Sequence, residues 1–399
     1  MSGFSFSFNI DGGTDPDSST SKEIKPKSDV QNEETCSSTN KPPLHLLKTS
    51  NILNGADASP QTWKRDSIPV SSLTFERIDI HERPFDKNEA DMNTNSTGGK
   101  DDKNPHNRQH HNDESSDLIH GFYEGGLKVW ECSLDLCHHL LDLYQGHHSD
   151  LLGSGGRVLE LGCGHGLPSI LVLKLLVERY RSSENNDFHI VFADYNGFVL
   201  RDVTLPNIIL NCLNNQDKVD TISNLSNKFS LVAGDWLDMS RKLLDSDKES
   251  DEEWKSVPSK YDLILAAETT YTLQSAKDTA YLLLHHLQPE TGVGFIATKR
   301  YYFGVGMYSS VCFSYRLYIN SFLNSFIKII GGGSDAFKAA CESMTTDGTG
   351  ATDNEDVEME DDSGAKGNSR YRLSVDLVKE YKDGKSNIRD LWRVRCIQI

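Results

Sequence analysis

The sequence predicts an α/β fold: a mostly parallel sheet with helices on both faces and an antiparallel strand closing one edge. Three observations predict it. Between about 115 and 345, short β-rich runs alternate with runs of helical period. The first β-rich run, "GRVLELGCG" (156–164), enters a glycine turn that opens at once into a helical run. Two C-terminal runs, "RYRLSVDL" (370–377) and "DLWRVRCIQI" (390–399), can form a closing antiparallel pair.

Residues 1–113 are rich in Ser, Asn, Asp, Lys and Pro, and cannot bury enough apolar surface to offset their ordering entropy. A disordered polar tail is expected there. "FSFSF" (4–8) and "PLHLLKTSNIL" (43–53) are apolar exceptions able to dock on a partner or on the domain, although an unstructured tail is the plainer expectation. The folded domain is expected over 114–399. After the first strand comes a helical run, "LPSILVLKLLVERY" (167–180), then a second strand, "FHIVFADYN" (188–196), ending in an acid. "FVLRDVTLPNIILNCL" (198–213) reads as a helix bent or restarted at Pro206. "KFSLVAGDW" (228–236), "YDLILAAETT" (261–270) and "GVGFIATKRYYF" (292–303) supply strands three to five, making seven with the closing pair. "DSDKESDEEW" (245–254) and an acidic run at 345–367 read as solvated loops.

Composition limits the function. Lys and Arg number 41 against 59 Asp and Glu, a formal charge of −18, and mean hydropathy is −0.51. That balance argues against sequence-specific nucleic-acid binding and suits a basic partner. The start, "MSGFSFSFNIDGG", has no positive charge before an apolar core, so a secretory signal is not expected and the chain reads as intracellular. The eight cysteines lack paired CxxC spacing, so buried thiols are expected and no metal; "CHH" (137–139) is the nearest approach to a ligand cluster.

Chemistry is carried by the ends of three successive strands. Gly162, Gly164 and Gly166 let a ligand approach the backbone and meet amide donors at a helix start. Such a loop also fits NAD enzymes, but three details disfavour a dinucleotide. The spacing is GxGxG, and Asp194 lies 32 positions after Gly162, against the roughly 20 of the dinucleotide fingerprint. Glu160, just before the loop, suits a cationic ligand better than a pyrophosphate. A cationic nucleoside without phosphate fits, and S-adenosylmethionine is one. Asp194 would then accept from ribose hydroxyls, with Tyr195 and Asn196 beside it. Gly234, Asp235 and Trp236 would address the adenine, Asp235 taking its amino group and Trp236 offering a face. For each residue alone, an Asp after a strand is more often a turn or cap. Ligands in open α/β sheets bind outside the carboxyl ends of the strands, where all three segments emerge.

"SDLIHGFYEGGLKVWECSLDL" (116–136), "VLELGCGHG", "DYNGFVLRDVTLPNIILN" (194–211), "GDW", "YDLILAAETTY" (261–271) and "KRYYFGVG" (299–306) together resemble the histidine protein methyltransferases. These are a branch of the seven-β-strand, Rossmann-like methyltransferases. The resemblance covers about 115–345 and "FSFSF". It implies transfer of a methyl group to the tele nitrogen of a histidine in a large-subunit ribosomal protein, with S-adenosylmethionine as cofactor. It further implies that Val129, Trp130, Glu131, Cys132 and Ser133 cover the methionine end of the cofactor, with Ala267 among the residues around it. Glu268 is the catalytic candidate to accept the proton of the other ring nitrogen, with Asn196, also a catalytic candidate, Thr269 and Tyr271 as alternatives at the substrate lip; that Glu268 only orders its loop is an equal reading of the residues. A monomer of cytoplasm and nucleus is expected. The alternatives are a lysine methyltransferase of the same fold, a cofactor-binding isoform without activity, and an NAD oxidoreductase.

"MYSSVCFSYRLYINSFLNSFIKII" (307–330) is long enough to span a bilayer, but nine of its residues are Ser, Asn, Arg or Lys, and Arg316 lies well inside. Members of the resembled family read "YFGVGGG" straight into a helix. Removing Met307–Gly331, 25 residues, restores that reading here. A retained intron or a gene-model error is expected.

Overall fold

The structure is a computed structural model. It describes residues 44–47, 65–70, 73–78, 125–146, 156–180, 187–212, 227–245, 250–302, 332–346, 370–382, 384 and 387–399. "FSFSF", 307–331 and nearly all of the 345–367 run lie outside them. Met1–Thr39 is a unit of its own, also outside them, and every described element belongs to the second unit, Asn40–Ile399.

In chain order the elements are β1 (His45–Leu47), β2 (Arg65–Val70), β3 (Leu73–Ile78), α1 (Glu131–Gln145), β4 (Arg157–Leu161), α2 (Leu167–Tyr180) and β5 (His189–Asp194). A composite helix follows: Gly197–Val199, a π turn over Leu200–Thr204, and α3 (Leu205–Cys212). Then come β6 (Phe229–Ala233), α4 (Trp236–Leu244), β7 (Leu263–Ala267), α5 (Leu273–His286), β8 (Val293–Lys299), α6 (Ser334–Ser343), β9 (Thr345–Thr346), β10 (Tyr371–Tyr381) and β11 (Arg389–Gln398). One nine-stranded sheet runs β1-β6-β5-β4-β7-β8-β11-β10-β9. The five central strands are parallel, and β11 lies antiparallel between β8 and β10. All seven expected strands are present, and the sheet gains β1 and β9 at its edges.

Side chains alternate across this sheet because successive Cβ atoms point to opposite faces. Val158, Ile190, Phe192, Leu263 and Leu265 enter one apolar layer, under α1, α2 and α3. Leu159, Leu161, Val191, Ile264 and Ala266 enter the other, under α4, α5 and α6. Register brings the strand ends level: Leu161 pairs with Ala193 and Ala266, Asp194 with Ala233, and Ala267 with Ala297. The chain leaves β4 toward β5 on one side and reaches β7 on the other. The sheet order therefore reverses at β4, and a crevice opens above it.

Three expectations need correcting. Residues 65–78 are not part of a featureless tail: β2 and β3 pair as a hairpin with Val70 and Phe75 fully buried. Burying two such side chains contributes about 1.5–3 kcal/mol each. The Asn211 amide secures the hairpin to α3, donating to Glu76 O (2.7 Å) and accepting from Glu76 N–H (3.1 Å). Of the "PLHLLKTSNIL" run, the described residues 44–47 dock on the domain, adding β1 antiparallel to β6 with Leu46 opposite Val232. Finally, the acidic 245–254 run does not lie wholly in solvent, because its last residue, Trp254, buries against the α5 layer, as does Val257 just beyond it.

The bend at Pro206 is a π turn placed before it. Proline offers no N–H to the carbonyl four residues earlier, and widening the preceding turn absorbs that loss. The turn sets Thr204 so that its hydroxyl donates to Gly164 O at 2.6 Å. At the closing end, Arg389 pairs with the buried Asp135 of α1 at 2.5 Å and ties β11 to that helix. No described helix is long and apolar enough to cross a membrane.

Candidate functional site

The glycine loop 162–166 leaves β4 with Gly162, Gly164 and Gly166 all at positive φ. Their neighbours differ. A side chain at Gly164 would meet the backbone of Gly126, with its carbonyl oxygen 3.1 Å away. The closeness the sequence assigned to a ligand is, at Gly164, an approach of the chain to itself. His165 holds the same pair of segments together: its Nδ1 accepts from the Asn207 amide (3.2 Å), so its Nε2–H donates to Leu127 O (3.0 Å). The Trp130 indole donates to Gly125 O at 3.0 Å and closes the turn that starts α1. "GGLKVWEC" thus lies across "GCGHG". That pairing was not legible from either motif alone.

Gly162 meets side chains and not backbone. A Cβ there would come within 3.1 Å of Thr269 Cγ2 and 3.4 Å of the Trp236 ring. Thr269 Oγ1 and Trp236 Nε1 are buried without a hydrogen-bond partner among the described residues. Leaving such groups unmade costs about 1–3 kcal/mol each, which a bound ligand offering donors and acceptors would recover. Gly162, Trp236 and Thr269 therefore fit a nucleoside cofactor. They come from the ends of three strands, β4, β6 and β7.

Other expected contacts take structural duties. Asp194, at the end of β5, accepts from Gly164 N–H (2.9 Å) and Asn196 N–H (3.0 Å), so its carboxylate first fixes the loop. Asp235 caps α4, accepting from Leu237 N–H (3.0 Å) and Asp238 N–H (3.2 Å). Gly234, at φ 128, makes the turn between β6 and that cap. Asn196 is buried and starts the composite helix; Tyr195, half-buried, precedes it. Glu160 is the clearest correction. Strand alternation turns it inward beneath α2, where it accepts from Ser169 N–H at 3.0 Å, and burial pushes its carboxyl up to about 8. It serves the start of α2 and does not face the crevice as a charge for a cation.

The second group of site residues sits at the ends of β7 and β8. Glu268 is held at φ 60, a region costly for a residue with a side chain, and its amide donates to Ala297 O at 2.9 Å. Its Oε2 accepts from the Tyr302 hydroxyl at 2.7 Å, and its Oε1 lies 3.4 Å from Lys299 Nζ. Tyr302 also meets Thr298 (3.3 Å), which meets Thr270 (2.6 Å). Burial, reinforced by Glu268, pushes the Tyr302 phenol well above its usual range. The Cys132 thiol, first by burial and then by Glu268, is pushed up as well and stays protonated. Lys299 Nζ lies 3.7 Å from Glu131 Oε2 and 4.8 Å from the Trp130 ring.

The structure thus brings Trp130 and Glu131 to Lys299 and Cys132 to Glu268, with Ala267 half-buried just before Glu268. Val129 and Ser133 flank that contact on the chain. Tyr271 packs edge-on against Tyr302, with ring centroids 6.5 Å apart. Lys299 and Tyr302 belong to "KRYYFGVG", but sequence reasoning gave neither a role. The signal available was a lysine ending one strand beside an acid ending its neighbour. In "CHH", Cys137 is a buried thiol and His139 meets Phe295 edge-on at 5.0 Å.

No family model matches the chain. Curated proteins do. The chain is 35% identical over 193 residues to "Histidine protein methyltransferase 1 homolog" of Dictyostelium discoideum, covering 48% of this chain and 49% of that protein. To the Bos taurus protein of the same name it is 34% identical over 207 residues, covering 48% of each. The N-terminal domain of EvdMO1, solved with S-adenosylhomocysteine bound, aligns at a TM-score of 0.30 and 11% identity, over 70% of this chain and 88% of that one. That likeness is too low to add to what the sheet order shows. The chain spans about half the length of the curated relatives it matches, and over that span it is a sequence relative of the histidine protein methyltransferases.

Proposed function

We propose that this chain is an S-adenosylmethionine-dependent protein methyltransferase that modifies a histidine, at its tele nitrogen, in a basic protein of the large ribosomal subunit. One observation carries the reading. The Thr269 methyl and the Trp236 ring close on Gly162, while the Thr269 hydroxyl and the Trp236 indole N–H are buried with no partner among the described residues, and Thr269 follows a Glu268 carboxylate already fixed by Tyr302. The relatives named for histidine methylation supply the choice of acceptor.

When bound, the cofactor supplies a methyl group made electrophilic by the sulfonium. The chain's part is alignment. A neutral imidazole nitrogen has a lone pair and a reference pKa near 6.5, so it needs orientation more than deprotonation. Glu268 is suited to accept the N–H of the other ring nitrogen, which selects the reacting tautomer and stabilises the cation formed. Tyr302 keeps that carboxylate in place. Thr269, Tyr271 and Asn196 form the lip through which a side chain enters. The formal charge of −18 supports a basic substrate. We further infer a monomer acting in cytoplasm and nucleus, where ribosomal proteins are made and assembled.

The test is transfer of labelled methyl to ribosomal protein from cells lacking this protein, read as methylhistidine. Transfer is expected with the full chain and lost in Asp194→Ala and Gly162→Arg. Cofactor binding without any transfer would sink the catalytic reading.

A further inference from the structure

The ammonium of Lys299 sits in surroundings built to hold a cation. The Trp130 ring lies 4.8 Å below it and the Tyr302 ring 5.9 Å away. Glu268 Oε1 and Glu131 Oε2 flank it at 3.4 and 3.7 Å. Aromatic faces with carboxylates are the chemistry that binds alkylammonium groups. Trp130 draws a second cation too, Lys128 at 4.5 Å. Yet neither of the two flanking oxygens receives a hydrogen bond among the described residues, although both are buried. Charge, not hydrogen bonding, joins Lys299 to them.

We propose that Trp130, Tyr302, Glu131 and Glu268 form an ammonium cage which the chain closes with its own Lys299, and that this excludes lysine side chains from methyl transfer while admitting histidine. The inference rests on the methyltransferase reading above. Its logic is charge. With Lys299 seated, Glu131 and Glu268 keep a net charge of one negative, which matches an imidazole that becomes a cation only on methylation. An incoming lysine ammonium meets a like charge already in the place it would take. A neutral imidazole meets none, and its N–H can still reach Glu268. Without Lys299 the Glu131 and Glu268 oxygens that flank it lose their nearest cation while Trp130 keeps only Lys128, and an ammonium becomes the favoured guest. Lys299 is a specificity residue in this account and takes no part in bond making.

The experiment uses the full chain, labelled methyl donor, and large-subunit ribosomal protein from cells lacking this protein, with the product hydrolysed and its methylated amino acids separated. Wild type is expected to yield methylhistidine without methyllysine. Lys299→Met is expected to raise methyllysine at least tenfold above the wild-type background, and Lys299→Arg, which keeps the charge, to raise none. A Lys299→Met chain that melts cooperatively and yields no methyllysine overturns the proposal. A second measurement needs no transfer. Millimolar n-butylammonium is expected to raise the melting temperature of Lys299→Ala and leave wild type unchanged, and an equal response of the two overturns the cage. Absence of methylhistidine from the wild-type reaction would count against the proposed function, and the alkylammonium titration would still decide the cage.

Discussion

At the scale of single residues, the same amino acid type does opposite work according to which way its strand turns it. Glu160 and Glu268 end neighbouring parallel strands, yet Glu160 points into the layer beneath α2 and Glu268 into the crevice. Glu160 carries a pH signature. Its carboxyl is pushed from 4.5 to about 8 by burial, so between those values the folded chain keeps a proton that the unfolded chain gives up. Stability contributed by that proton is complete below 4.5 and is lost as pH rises toward 8. Glu160→Gln retains an acceptor for Ser169 and removes the titration. Its melting temperature should exceed that of wild type by a margin that widens from about pH 5 to about pH 8; a constant margin would refute the assignment. The sequence showed that an acid precedes the loop. It did not show the direction, because that depends on which layer covers each face of β4.

At the scale of elements, the glycine loop, the acid ending β5 and the "GDW" turn were legible because strand–turn–helix grammar is local. The partners of those turns were not. Gly164 is needed by the backbone of Gly126, 38 positions earlier, and Asp194 by the loop amides. The β2–β3 hairpin shows the same limit. Its sequence is polar enough to read as tail, and burial of Val70 and Phe75 in the domain's apolar layer, with Ile68 and Leu73 packed beside them, is what the sequence does not announce. Asn211 clasps the hairpin to α3 through both backbone groups of Glu76. Asn211→Ala should cost about 1–3 kcal/mol, since it removes the partner of that N–H and that carbonyl. Amide exchange should rise in 65–78 and stay unchanged in β4 and β5. Uniform exchange across the sheet would show that the hairpin and the domain do not open separately.

At the scale of the whole molecule, the segment 307–331, expected from the sequence to be an insertion, falls between two well-anchored points. Tyr302 is held by Glu268 before it, and Gly333 N–H donates to Thr270 O at 2.6 Å after it. A chain with the 25 residues removed is therefore expected to melt cooperatively, at or above the temperature of the full chain, and amplification across the region should recover a message lacking them. Failure of the shortened chain to fold would make the segment part of the domain. The sequence by itself determined the seven strands, their parallel and antiparallel parts, and the turns at the strand ends that the proposed function assigns to a cofactor. Each of these is written in local period and in glycine and acid positions a few residues apart. Only the tertiary structure decided that Glu160 is internal, that "GGLKVWEC" lies on the glycine loop, and that Lys299 stands between Glu131 and Glu268. Most of those contacts join residues tens to more than a hundred positions apart, and the sheet's strand order, not the spacing along the chain, brings them together.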